Sequence, residues 1–304
     1  MAAIQVPMSP SSGAVDEARA PSTRDKATAE IAAVSKGFGL DLEREEVVAD
    51  LTLTLRPGEL TALVGPSGCG KTTIVNLVAG YERPDKGTIQ IDGRPVTGPS
   101  QDRMVVFQET ALFPWLTTYE NVAFGPKLRG DMSSADIEAE ARRLLQRVGL
   151  SEFKDKYPIQ LSGGMQRRAE LARAMMNQPR LMIMDEPFRG LDAMTRELMQ
   201  LFFLRLFEEN RRTNLFVTSE IEEAVLLADR LVILTNRPTT VCAVIEVKLP
   251  RPRDLRMMSS REAFEHKRQA LEILHAEALK SFTSSGKSRD FVEAFSKRFE
   301  QSGG

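Results

Sequence analysis

The sequence predicts an α/β fold: a mainly parallel sheet covered on both faces, with a helical segment inserted into it. Three observations carry that expectation. From Ala29 to Leu249, short β-rich runs alternate with patterns of helical period, which is how a parallel sheet buried on both sides is written. A glycine-rich stretch, GPSGCGKTT, joins one apolar run to one helical run. A second apolar run, LMIMDEP, ends in two carboxylates.

In chain order, residues 1–28 read as a tail. Their Ala, Ser and Pro content buries little surface, and they lack the continuous apolar stretch of a secretory signal. VVADLTLTLRPGEL alternates with period two before Pro57 and Gly58 mark a turn. ELTALVG reads as a buried strand, GTIQIDGRPV as a surface hairpin strand and DRMVVFQ as another buried strand. Residues 109–178, approximately, then turn helical: DIEAEARRLLQRVGL and MQRRAELARAMMNQ place apolar residues at helical spacing. Strands return in RLMIMDEP, TNLFVTS, DRLVILTN and TVCAVIEVKL, with a helix over Thr195 to Asn210 between the first two. The main domain is thus 29–250. Beyond it, in 251–304, REAFEHKRQALEILHAEALKSF and RDFVEAFSKRFE read as amphipathic helices of a C-terminal extension.

Composition narrows the class. Of 304 residues, 42% are hydrophobic and 27% charged, the balance of a globular chain with a sizeable core. A formal charge of -1 gives no global field for nucleic acid. LFFLRLF is short and broken by Arg205, far from the ~20 apolar residues of a membrane span. Two cysteines, Cys69 and Cys242, allow one bridge at most, and a reducing compartment fits better.

GPSGCGKTT runs from Gly65 to Thr73 and fits G-x-x-x-x-G-K-[ST] between a strand and a helix, the context that motif requires. Gly65, Pro66, Ser67, Gly68, Cys69 and Gly70 form the loop, where glycines let successive N–H groups face an anion. The helix N-terminus adds partial positive charge. Lys71 is placed for the β- and γ-phosphates of a nucleotide and Thr72 for magnesium, and Thr73 is counted with them among the nucleotide-binding residues. Cys69 reads as loop filler whose position could expose it to alkylation. In LMIMDEP, Asp185 and Glu186 emerge at the C-terminal end of a buried strand, where ligands of open α/β sheets gather. One carboxylate suits magnesium, and the next is placed to take a proton from an attacking water.

LSGGMQRRAELARAM, upstream of LMIMDEP, resembles the signature of ABC-type ATPases. The resemblance covers roughly Ala29 to Leu249, with the other motifs in order. It implies a P-loop NTPase core with an antiparallel β subdomain and an inserted helical subdomain, and ATP and Mg2+ as cofactors. It further implies that Phe38 stacks on adenine, that Gln108 senses the magnesium and the lytic water, and that Asp192 is the D-loop aspartate. Ser162, Gly163 and Gly164 would meet the γ-phosphate held by a second ATPase subunit, in a homo- or heterodimer. FQETALFPWLTTYENVAFGPKLRG, EPFRGLDAMTRELM and ILTNRPTTV resemble the ATPases of nitrate, sulfonate and taurine importers. Partners implied are transmembrane permease subunits and a solute-binding protein, with the chain peripheral on the cytoplasmic face of the inner membrane. Phe113, Pro114 and Trp115 lie where a permease helix would dock, or simply pack the subdomain.

Two residues depart from the family pattern. Ser219 stands where the resemblance expects a switch histidine, and the only histidines, His266 and His275, lie in the extension. Serine is shorter and cannot become cationic. Three readings follow: attenuated hydrolysis at Glu186 with Ser219 and a water replacing the imidazole, a slow degenerate site paired with a complete ATPase, or a nucleotide-binding regulator. Intact Lys71, Asp185, Glu186, Gln108 and signature residues argue against the third. Arg189 stands where relatives carry a small residue; it is either solvated or near the dimer seam. Repair-type and translation-type ABC proteins need a long coiled-coil insertion or two cassettes, and a GTPase would need a guanine-reading motif that TNRP does not supply.

Overall fold

A computed structural model describes residues 26–39 and 44–284. Ten strands and seven helices are formed among them. The strands are β1 (Ala29–Phe38), β2 (Glu45–Leu55), β3 (Leu60–Val64), β4 (Lys86–Ile91), β5 (Arg94–Pro95), β6 (Arg103–Val106), β7 (Leu181–Asp185), β8 (Thr213–Val217), β9 (Arg230–Leu234) and β10 (Val241–Glu246). The helices are α1 (Lys71–Ala79), α2 (Thr118–Arg129), α3 (Ser134–Arg147), α4 (Gly163–Met176), α5 (Ala193–Asn210), α6 (Ile221–Leu227) and α7 (Arg261–Ser284).

Two sheets result. One is antiparallel, in the order β2-β1-β4-β5, and contains the expected hairpin. The other runs β10-β9-β3-β8-β7-β6, with every pair parallel except β9 and β10. The period-two alternation of the central strands divides the core. Leu60, Ala62, Val64, Met182, Met184, Phe216, Leu231 and Ile233 face α5, α6 and α7. Leu63, Leu181, Ile183, Leu215, Val217, Val232 and Leu234 face α1 and the antiparallel sheet. Each such strand is buried at all five positions, as the unbroken apolar runs require.

The helices α2, α3 and α4 lie between β6 and β7 and share a third core of Val122, Ile137, Ala141, Leu144, Leu145, Ala169, Ala172 and Met176. Thr117 and Glu120 form a reciprocal capping box at the start of α2. Phe113 packs in tilted contact with Phe124, ring centroids 4.6 Å apart, and with Trp115 at 5.6 Å, while Trp115 is 69% exposed.

The described residues begin at Lys26, within the stretch read as a tail. Ala27 is fully buried, and its N–H and carbonyl both bond the hydroxyl of Thr213; a buried side chain and two satisfied backbone groups make it part of the core. Residues 1–25 lie outside the described residues, as does the helix expected over RDFVEAFSKRFE.

The extension is fastened by arginines. Arg253 is buried and donates to the carbonyls of Val225, Leu226 and Ala228 at the end of α6, and to Val247 and Leu249 after β10. A helix end leaves carbonyls without partners, and a guanidinium can serve several at once. Burial, then Arg251, lower its pKa to about 10. Arg251 bonds Asp229 at 2.8 Å and lies over the Phe207 ring. Farther along, His266 accepts through Nε2 from the Lys248 N–H at 3.2 Å. Burial, then Arg253 and Lys248, push that imidazole below its ordinary value.

Replacing Arg253 with Ala strands these carbonyls and is expected to cost about 3 kcal/mol of stability in denaturant melts, with Lys restoring only part. The His266 contact needs the neutral ring, and its lowered pKa means that the unfolded chain takes the proton first. Its contribution is therefore complete above the ordinary value of 6.5 and is lost as pH falls through the lowered folded value. Melting temperatures compared at neutral and mildly acid pH should show that loss in the parent and a smaller one in His266→Gln.

Candidate functional site

The parallel register brings the C-terminal ends of β3, β6, β7, β8 and β9 to one edge of the sheet, and the sequence-predicted residues leave from those ends. After Val64 the chain turns through Gly65–Gly70 into α1. Gly70 has φ 121, and a Cβ there would stand 2.9 Å from Val47 Cγ1; only glycine fits. The loop is braced from outside. Arg237 Nε donates to the Gly68 carbonyl at 2.6 Å, and the Thr239 hydroxyl donates to the Cys69 carbonyl. Lys71 is buried, with Nζ on the carbonyls of Gly65 at 2.9 Å and Pro66 at 3.1 Å. Cys69 is also buried, and burial pushes its thiol above the ordinary value. Both effects work against the expected sensitivity to alkylation, since burial disfavours the thiolate and limits access to it.

Thr72 and Asp185, far apart in sequence, meet here. The Thr72 hydroxyl donates to Asp185 Oδ2 at 2.8 Å. Burial raises the Asp185 carboxyl above its ordinary value, and the Thr72 bond opposes that. A hydroxyl and a carboxylate side by side are hard oxygen donors of the kind magnesium takes, the remaining positions going to waters and phosphate oxygens. Both donors are oxygens, with no thiolate or imidazole beside them in this contact, and such a pair suits magnesium better than a transition metal.

Glu186 follows with φ 45, a left-handed backbone uncommon outside glycine. Its N–H is tied to the Val217 carbonyl at 2.8 Å. Its side chain enters a polar cavity of about 200 Å³ whose lining includes Ser67, Arg189, Arg196, Ser219 and Glu223. Ser67, Glu186 and Ser219, predicted from three separate stretches, thus share one space. Ser219 is exposed, and the neighbouring Thr218 hydroxyl accepts from the Glu220 N–H at 3.0 Å. Arg189 Nη1 donates to Glu186 Oε2 at 2.7 Å. It is therefore not simply a solvated arginine. Glu223, buried and bonded by Gln200 at 2.8 Å, escaped sequence reading because nothing in IEEAV marks one of its carboxylates as inward-facing.

Other predicted residues stand apart from this cavity. Phe38, at the end of β1, is 42% exposed with Lys36 Nζ 5.2 Å from its ring centroid. Ser162 caps α4 by accepting from the Met165 N–H at 3.3 Å, and Asp192 caps α5 by accepting from the Thr195 N–H at 3.0 Å. A Cβ on Gly164 would meet Thr195 at 2.9 Å, so the two caps approach closely. Neither Ser162, Gly163 nor Gly164 lines the cavity. Gln108, exposed beyond β6, is held through its carbonyl by Arg167, which also bonds the Phe107 carbonyl at 2.7 Å and Glu170. Glu170 in turn accepts from the Ala111 N–H at 3.1 Å. The helix opened by Ser162 therefore grips the segment carrying Gln108, a link for which LSGGMQRRAE gave no signal.

Comparison with known proteins follows the same lines. Residues 48–189 match the family model described as ABC transporter. An ABC transporter ATP-binding protein of Methanocaldococcus jannaschii is 41% identical over 258 residues, 85% of this chain and 95% of that protein. A taurine import ATP-binding protein of Jannaschia sp. is 46% identical over 64% of this chain and 72% of its own length. A bicarbonate transport ATP-binding protein of Synechococcus elongatus is 43% identical over 72% of this chain, which spans only 34% of that protein. Among solved structures, a dimeric ATP-binding cassette in a post-hydrolysis state with ADP and Pi matches with TM-score 0.63 and 27% identity, over 73% of this chain and 100% of that one.

If Thr72 and Asp185 hold magnesium, Asp185→Asn keeps an acceptor for the hydroxyl but removes the charge. Titration calorimetry should then show ATP affinity in the presence of Mg2+ falling about tenfold or more, with affinity in chelator little changed.

Proposed function

Since the chain belongs to the ATP-binding proteins of ABC transporters, we propose that this ATPase powers a membrane importer for a small anion or an organic sulfonate-like solute, of the nitrate, sulfonate and taurine type. The observation that carries the hydrolytic part is the convergence of Thr72, Asp185, Glu186, Ser67 and Ser219 on one sheet edge. Relatives named for taurine import and bicarbonate transport support the importer part.

In this reading the Gly65–Thr73 loop binds the phosphates and Phe38 receives the adenine. Magnesium, when bound, would neutralise charge on the β- and γ-phosphates. Glu186 takes a proton from a water whose oxygen bonds to the γ-phosphorus. The bond from that phosphorus to the bridging oxygen breaks, and ADP leaves with its electron pair. The products are ADP and inorganic phosphate, and the proton passes from Glu186 to solvent. Gln108 and Ser219 order the water. Ser162, Gly163 and Gly164 face the γ-phosphate of a second ATPase subunit, with Asp192 beside the seam, so that ATP joins two subunits and hydrolysis releases them.

Among the described residues no helix is long and apolar enough to cross a membrane; permease subunits would supply the path, and a solute-binding protein the choice of solute. Trp115 and Phe113 present an aromatic surface on the helical segment to which a permease can dock. The chain then sits peripherally on the cytoplasmic face of the membrane.

Glu186→Gln should lower single-turnover ATP hydrolysis by about 100-fold or more while ATP-dependent pairing persists in light scattering. Hydrolysis at the parent rate would remove Glu186 from the base role. Affinity purification from membranes should recover permease subunits with the chain, and their absence would count against the importer.

A further inference from the structure

We propose that Arg189 is the positioning residue of the hydrolytic centre. Its guanidinium holds one oxygen of the Glu186 carboxylate so that the other is aimed at the lytic water. The inference rests on Glu186 acting as the base and goes beyond it by naming what orients that base.

The backbone of Glu186 is fixed. Its φ of 45 and its N–H bond to the Val217 carbonyl leave the residue one direction in which to project. The side chain is less constrained, because it enters a polar cavity rather than the core. Among the described residues one hydrogen bond is made to its carboxylate, the 2.7 Å contact of Arg189 Nη1 with Oε2. Oε1 carries no protein hydrogen bond among the described residues and is left to the cavity. A base with one atom engaged and one atom free is the arrangement in which a third group orients the proton acceptor.

The other groups lining the cavity do not do this. Arg196 donates its Nη2 to the Leu191 carbonyl at 3.0 Å. Ser219 is exposed and its hydroxyl makes no protein bond among the described residues. No imidazole is at hand, since both histidines of the chain lie in α7. Arg189 is itself well placed. Its N–H donates to the Glu186 carbonyl at 3.1 Å, closing a turn that carries acid and guanidinium together. The side chain is 62% exposed and, among the described residues, bonds Glu186 alone. A permanently charged, planar donor fixes a carboxylate in direction as well as in place.

Steady-state and single-turnover hydrolysis by the full chain tests this with Arg189→Ala, Arg189→Lys, Glu186→Gln and the double variant Glu186→Gln/Arg189→Ala. Arg189→Ala should lower kcat about tenfold or more, with KM for ATP held within about twofold. Arg189→Lys should recover part of kcat. The double variant should be no slower than Glu186→Gln alone. Parent kcat in Arg189→Ala, a raised kcat, or a raised KM with kcat kept would overturn the proposal. If Glu186→Gln is inactive and Arg189→Ala is not impaired, only the orienting role falls. If Glu186→Gln hydrolyses ATP like the parent, the base reading itself falls and takes the orienting role with it.

Discussion

Parallel pairing of the central strands is the constraint on which the rest of the molecule depends. Parallel strands run in the same direction, so their C-terminal ends share an edge. Whatever residue follows each apolar run is delivered to that edge. Gly65 follows β3, Asp185 closes β7, Thr218 follows β8 and Gln108 lies just beyond β6. A slip of one residue in any of these registers would turn its alternating side chains to the wrong core, and Asp185 would lose the Thr72 hydroxyl. The two apolar cores on either face of the sheet therefore hold the chemistry in place as well as the fold.

Around that edge the antiparallel sheet and the helical insert act as supports. The turn between β9 and β10 holds the outer carbonyls of the phosphate loop through Arg237 and Thr239. Asn236 in the same turn donates to the carbonyl of Glu277 on α7, so the extension reaches the loop through two adjacent residues. On the other side Arg167, buried and paired with Glu170, ties α4 to the exit of β6. A buried ion pair is weak evidence for stability, but this one also satisfies backbone groups of Phe107, Gln108 and Ala111. Any tilt of α4 must then move the segment that carries Gln108.

Legibility from sequence followed locality. The glycine loop, the acidic strand end and the cap at Ser162 could be read because each is written in a contiguous stretch whose neighbours decide its shape. The strand order could not, since the six-stranded sheet interleaves segments far apart in the chain. The anchoring of Ala27 could not be read either, since the Thr213 hydroxyl that holds it lies 186 residues away. No pattern in LPRPRDL marks Arg253 as inward-facing, and only the convergence of α6 and the end of β10 shows why it is buried. Arg189 and Glu186 are three residues apart, yet their pairing needs the left-handed turn at Glu186, and sequence gave no sign of that turn.

The brace from Thr239 sets a direction as well as a position. A peptide unit is planar and trans, so an oxygen anchored on one side sends the hydrogen of the same unit to the other. With the Cys69 oxygen drawn toward Thr239, the Gly70 amide is turned the opposite way. A hydroxyl on the outer rim thus fixes the polarity of an amide inside the loop, and the wall of the molecule becomes part of its electrostatics.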